Sequence, residues 1–408
     1  MNPNTIRTID YWFGQPICFL LTLFRNPFAS KTEKTKKIVF LKFIEQGATV
    51  LAFSAMKRAT ELAGKENVYF CVFENNRPIL DILEIIPSEN IISISDKNIF
   101  SFLSSAFSAL LKIRKAKIDT TIDMEFFSRA SAIFSFLAGA KTRVGLHRFN
   151  SEQPYRGNLM THRIQYNPYL HTAAFYFSLV EATLQNPNEV PMMKIPQSNF
   201  KVSLPSFIPT VAEKESMIKQ LQNSFSSFSP LSPRRGLGGE ALIVLNPNAS
   251  DLLPLRKWDK QNFIELGKKI VAENENAKII ISGAPSEQKD AEDICKQIGS
   301  LKAVSFAGRT TLRELLTLYS LADVLVTNDS GPGHFSALTT IRTIILFGPE
   351  TPKLFGPISP NARVIWKELS CSPCVNVFNH RFSPCNNNVC MKSITVEEVY
   401  SAVKNSLN

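Results

Sequence analysis

The stretch richest in chemistry is Val326-Thr-Asn-Asp-Ser-Gly-Pro-Gly-His334, which follows an apolar run and opens a helical pattern. Such a strand-to-helix turn presents backbone N–H groups to an anion. Gly331 allows close backbone approach, and Ser330 can cap the helix or donate to a phosphate. Asp329 suits hydroxyls or a backbone turn, and His334 lies one turn further along. Leu346-Phe-Gly-Pro349 adds a second turn after the next apolar run. Arg256 and Lys257, beside Trp258 and before a helical pattern, read either as phosphate-holding cations or as solvated charge. The chain has no Asp-x-Asp, so no metal-held diphosphate of that type is expected.

A second group is basic. Arg143, His147, Arg148, Arg156, His162 and Arg163 crowd residues 143–163, interleaved with Tyr155 and near Tyr166. Guanidinium forks suit phosphate or carboxylate. Cys371, Cys374, Cys385 and Cys390, with His380 among them, read as free thiols or as a tetrahedral zinc site.

The chain holding these residues has 408 residues and a net charge of +11. Residues 1–235 carry 28 Lys and Arg against 18 Asp and Glu, so the excess lies almost wholly in the first half. An ordinary apolar fraction of 44% and 30 Phe residues exclude disorder as the main state. No run approaches the ~18 apolar residues of a membrane span. Tyr11–Phe24 is apolar but is interrupted by Pro16, with no signal-peptide cleavage site after it. With basic residues on both sides it reads as an interfacial segment or as a helix packed on its own domain. A polyanionic partner fits the charge; no nucleic-acid motif accompanies it.

Apolar runs alternate with helical patterns, as in parallel sheets. Strands are expected at 38–43, 68–73, 91–95, 118–124 and 142–146, with 147–168 as a long basic loop and a helix at 169–184. After a Ser/Pro/Gly-rich stretch, strands are expected at 241–245, 278–282, 303–306, 323–327 and 343–347, and a last helix at 396–407. The reading is a segment 1–35, a β/α domain 36–222, a linker 223–240 and a β/α domain 241–408. Ligands in such sheets bind beyond the carboxyl ends of the strands, so the cleft between the domains is the expected site.

Asn328-Asp-Ser-Gly-Pro-x-His334, Leu346-Phe-Gly-Pro-x-x-Pro352 and Gly356-Pro357 resemble glycosyltransferase family 9, the ADP-heptose:lipopolysaccharide heptosyltransferases. Leu245-Asn-Pro-Asn-Ala-Ser250, Phe306-Ala-Gly-Arg-Thr-Thr-Leu312, Phe40–Gly47 and Arg143-Val-Gly145 extend the likeness over most of residues 36–400. The resemblance implies an α/β GT-B fold, two Rossmann-like domains facing across a cleft. The first would bind the acceptor and the second the nucleotide-sugar. It implies a metal-independent inverting transferase that moves heptose from ADP-heptose to an acidic or phosphorylated glycolipid at the inner membrane, with no cofactor. The protein would be cytoplasmic, peripheral on that membrane. A catalytically inactive binding protein of the same fold is the alternative.

On this resemblance, donor contacts are expected from Asn248, Ser250, Arg256, Lys257, Glu287, Asp329, Ser330, Gly331 and His334. Glu287 reads equally as a first-turn carboxylate. Acceptor contacts are expected from Gly47, Arg129, Arg148, Arg156, His162 and Arg163. The family carries an Asp directly after the glycine of the first turn, where this chain has Ala48. A general base must reach the acceptor hydroxyl, and Glu45 and Glu125 are the candidates.

Overall fold

A computed structural model describes residue 8 and residues 10–24, 35–225, 240–249, 253–379 and 382–407. Ser250, His380 and most of the expected linker lie outside the described residues. The chain divides into two compact units, residues 1–203 with 377–381, and 204–376 with 382–408.

In unit 1, α1 (Gln15–Leu23) precedes β1 (Ile38–Leu41), followed by α2 (Gln46–Leu51) and α3 (Phe53–Ala63). Then come β2 (Val68–Phe73), α4 (Arg77–Leu83), β3 (Ile91–Ile94), α5 (Ile99–Lys115) and β4 (Thr120–Asp123). After these follow α6 (Arg129–Leu137), β5 (Thr142–Leu146), β6 (His162–Ile164) and α7 (Thr172–Glu181). The sheet is wholly parallel, in the order β3-β2-β1-β4-β5-β6. Every residue of β1 and β4 is buried, as expected for a sheet covered on both faces. Two expectations change. The basic loop contains β6, whose Val144↔His162 pairing to β5 a three-residue polar run did not advertise. The helix expected at 169–184 begins only at Thr172, capped by the His171 ring.

Unit 2 opens with α8 (Val211–Ser224), which packs on a later helix of its own unit. Next are β7 (Ala241–Asn246), α9 (Lys260–Glu273), β8 (Ala277–Ile281), α10 (Gln288–Ile298) and β9 (Ala303–Ser305). Then come α11 (Leu312–Leu321), β10 (Val324–Asn328), α12 (Gly331–Ser336), β11 (Arg342–Phe347) and α13 (Pro352–Phe355). The unit ends with β12 (Ala362–Trp366), α14 (Val389–Lys392) and α15 (Val396–Leu407). Its parallel order is β12-β11-β10-β7-β8-β9, the same topology as unit 1. The edge strand β12 was not expected, because Arg363 interrupts its short apolar run. Trp258, Phe263, Ile279, Val326 and Ile344 belong to one core that α15 closes through Val399 and Val403.

In each sheet the strand order reverses once, between β1 and β4 and between β7 and β10. The crevice beyond the strand ends at such a reversal is where open α/β sheets hold ligands.

Candidate functional site: two charged clusters at the strand reversals

In unit 1, Lys42 follows β1 directly and is completely buried. Its Nζ donates to Glu125 Oε2 at 3.0 Å and to Glu45 Oε2 at 3.2 Å. Both candidate bases therefore meet on one lysine that the sequence reading did not single out. They are not equivalent. Glu125 also accepts from the Phe43 amide at 2.7 Å and the Ile44 amide at 3.4 Å, and its side chain is 9% exposed. Glu45 is 23% exposed. It stands at the N-terminus of α2 with φ at 71°, a left-handed conformation uncommon outside glycine. Glu125 is held by three donors, whereas Glu45 presents its side chain to solvent. Gly47 is buried in the first turn of α2.

A second buried network lies beside it. Asp123, at the end of β4, accepts from Ser131 Oγ at 2.9 Å and pairs with Arg156. Arg156 further donates to the carbonyls of Ser128 at 2.9 Å and Leu146 at 3.0 Å. Arg129 donates to the Tyr155 carbonyl at 2.7 Å and to Asp10 at 2.5 Å. These two arginines, expected to meet an acceptor, instead spend their guanidinium groups inside the protein, fastening the basic loop and the N-terminal segment. His162 is likewise buried on β6, with Nδ1 3.0 Å from Thr161 Oγ1, and burial pushes its pKa down to about 4. It is neutral at physiological pH. Arg148 is half-exposed, and with His147, Phe149 and Tyr155 it lines an open depression of about 460 Å³. Arg163 is half-buried, and its Nε has no hydrogen-bond partner.

In unit 2, Asn328 closes β10 by accepting from the Trp258 amide at 3.0 Å and donating to the Pro247 carbonyl at 2.9 Å. That pair of bonds draws the loop after β7 to the end of β10. The loop delivers Arg256, whose Nη1 lies 3.2 Å from Glu350 Oε2 and 3.7 Å from Asp329 Oδ2. The three side chains are 12%, 3% and 5% exposed, respectively. Burial raises the pKa of both carboxyls. For Glu350 burial and then the Asp329 charge push it up to about 8, so the pair holds a proton at neutral pH on Glu350. Arg256 thus already faces two carboxyls. Glu350 was missed by the sequence reading. Its only signal is its place directly after Gly348-Pro349.

The other expected donor residues gather around this triad less tightly. Ser330 Oγ donates to the Asn328 carbonyl at 3.1 Å and does not cap α12. The helix it precedes has only six residues. Gly331 admits no side chain without crowding, since a Cβ there would lie 3.1 Å from the Phe335 ring. His334 is half-buried on α12, and Lys257 half-buried beside Trp258. Asn248 Nδ2 is buried with no hydrogen-bond partner. Glu287 accepts from the Ala284 amide at 2.7 Å, the first-turn capping contact that was its other reading. Among the described residues the cysteines form no disulfide with one another, and no three His, Cys, Asp or Glu side chains form a metal site.

Two parallel doubly wound sheets, each with a polar cluster at its strand reversal, define a GT-B protein. The chain belongs to glycosyltransferase family 9 (heptosyltransferase), whose profile matches residues 108–381. It is similar to lipooligosaccharide heptosyltransferase 2 of Campylobacter jejuni, 29% identical over 179 residues, or 41% of this chain and 52% of that protein. The matched stretch therefore spans about half the length of that relative. The fold matches the structure of E. coli ADP-heptose lps heptosyltransferase II with a TM-score of 0.67 and 19% identity, covering 91% of this chain and 98% of that one. It also matches E. coli heptosyltransferase WaaC with ADP, with a TM-score of 0.60 and 15% identity over 91% and 99% of the two chains.

Proposed function

We propose that the protein is an inverting glycosyltransferase that moves heptose from ADP-heptose to an acidic lipopolysaccharide-type acceptor, without a catalytic metal. Glu45 carries this reading. It is an accessible carboxylate at the strand reversal of unit 1, held in a constrained backbone and hydrogen-bonded to a buried lysine. As general base it takes the proton of the acceptor hydroxyl while that oxygen attacks the anomeric carbon and the bond to the diphosphate breaks. Lys42 orients Glu45, and Glu125 holds the Lys42 side chain in place. In unit 2, Arg256, Lys257 and the Ser330–Gly331 turn hold the leaving diphosphate, with Asn248 and His334 on the nucleotide-sugar. Arg148 and Arg163 serve the acceptor's anionic groups. Work at the cytoplasmic face of the inner membrane, as a peripheral protein, suits a lipid-borne acceptor and the basic first half of the chain.

The test is ADP release from ADP-heptose with purified lipooligosaccharide acceptors, comparing wild type with Glu45→Gln and Glu125→Gln. Full activity in Glu45→Gln overturns the base assignment, whatever Glu125→Gln does. Tight ADP-heptose binding with no ADP release over the acceptor panel overturns the transferase reading in favour of a binding protein.

A further inference from the structure

Unit 1 carries an apolar face that the charged clusters do not use. Helices α5 and α6 lie on one side of its sheet, since Ala109 and Ile113 of α5 and Phe134 of α6 share a core with Val39, Cys71 and Ile92. Arg114 of α5 donates to the Leu137 carbonyl at the end of α6 at 3.0 Å. On the other flank α1 packs on α6, with Cys18 buried against Ala132, Leu159 and Met160. Gly157 permits that approach. A Cβ there would lie 2.5 Å from the Cys18 carbonyl oxygen, and φ is +67°. The three helices therefore form one layer with a defined outer surface.

That surface is apolar. On α5, Phe100, Leu103, Phe107 and Leu111 are spaced as one helical face and are each more than half exposed. Trp12, Leu20 and Phe24 are exposed to the same degree at and around α1. Exposed apolar patches of this kind mark a partner or a membrane. The charge pattern decides between them. Helices α1, α5 and α6 contain no Asp or Glu, while Lys112, Arg114 and Lys115 end α5 and Lys117 and Lys141 follow on the exposed surface. A symmetric pairing of two copies through this face would set its basic rim against itself. An anionic bilayer offers acyl chains to the aromatic and leucine side chains and headgroup charge to the lysines. No described helix is long and apolar enough to cross a membrane, so the fit is to the interface.

We propose that the outer face of α1, α5 and α6 docks on an anionic lipid surface, with α5 lying in the interface. Its purpose rests on the reading of a membrane-borne acceptor, but lipid binding is measured without donor or acceptor. The experiment is sedimentation of the full chain with vesicles of phosphatidylcholine containing roughly 30 mol% phosphatidylglycerol. Wild type is compared with the double variant Leu103→Glu, Phe107→Glu. Leu301→Glu, at a still more exposed leucine in unit 2, is the control.

The expected result is a loss of vesicle partitioning on the order of tenfold or more in the double variant. Leu301→Glu should leave partitioning unchanged, both variants should keep the wild-type melting temperature, and wild-type binding should weaken on pure phosphatidylcholine. Equal sedimentation of the double variant and wild type overturns the proposal. So does a wild-type dimer, seen by light scattering, that the double substitution dissolves while neither protein binds vesicles. ADP binding by calorimetry, without lipid, reads the transferase assignment separately; its absence in wild type would overturn that assignment and leave the docking surface standing.

Discussion

The protonated Glu350 makes the stability of unit 2 depend on pH in an unusual direction. Glu350 titrates at about 8 in the folded protein against an ordinary value of 4.5. Between those values the folded state holds a proton that the unfolded state has released. Stability from this group is complete below pH 4.5 and is lost as pH rises through 8. One proton corresponds to about 1.4 kcal/mol per pH unit, hence about 3 kcal/mol between pH 5 and pH 8. His162 acts oppositely. Burial lowers its pKa from 6.5 to about 4, so its contribution is present above 6.5 and is lost as pH falls toward 4. Glu350→Gln keeps a neutral, hydrogen-bonding side chain beside Asp329 and Arg256 and removes only the first dependence. Urea unfolding at 25 °C, from pH 5 to pH 8, should show the variant close to wild type at the acid end. It should become progressively more stable than wild type as pH rises, with the His162 effect cancelling in the difference. Parallel curves for the two proteins would show that Glu350 is ionised throughout and would refute the argument from burial.

Three further substitutions probe other parts of the molecule. Glu45→Gln should lower the rate of ADP release by about 10²–10⁴-fold with an unchanged melting temperature; a fall in melting temperature alone would make Glu45 structural. Arg156→Ala strands the fully buried Asp123 carboxylate and should cost about 3–5 kcal/mol in chemical denaturation. A cost within ~0.5 kcal/mol would return Arg156 to a surface, ligand-facing role. Thr311→Ala removes the side-chain cap that the Glu314 amide donates to, and should destabilise by about 1 kcal/mol in the same assay.

Most of the strands were legible because parallel strands buried on both faces are written as uninterrupted apolar runs, as at Val68–Phe73 and Ala241–Asn246. The elements that escaped, β6 and β12, are sheet-edge strands; β6 is a three-residue run holding His162 and Arg163, and the exposed Arg363 interrupts the apolar residues of β12. The candidate site was legible in part for a similar reason. Strand-end motifs such as Asn328-Asp-Ser-Gly mark positions along the chain, and the fold carries strand ends to one place. Charge count, by contrast, misled at Arg156. An arginine in a basic loop looks like a ligand-binding cation until the structure shows which carbonyls and carboxylate it already holds, and Arg129 at the start of α6 is engaged in the same way.

The sequence by itself determined two doubly wound sheets, the family, the basic bias of the first half and the short set of carboxylates from which a base had to come. The family came from the resemblance of its motifs, and the rest is carried by residue type and local periodicity. Only the tertiary structure decided that Lys42 joins Glu45 to Glu125, residues 80 apart in sequence, and that Glu45 is the exposed member of the pair. The structure also placed Glu350 beside Asp329 around Arg256, where burial leaves one carboxyl protonated. It set the apolar stripes of α1 and α5 on one helical layer of unit 1. Proximity across a sheet and removal from water are properties of the folded chain, and no spacing within the sequence encodes them.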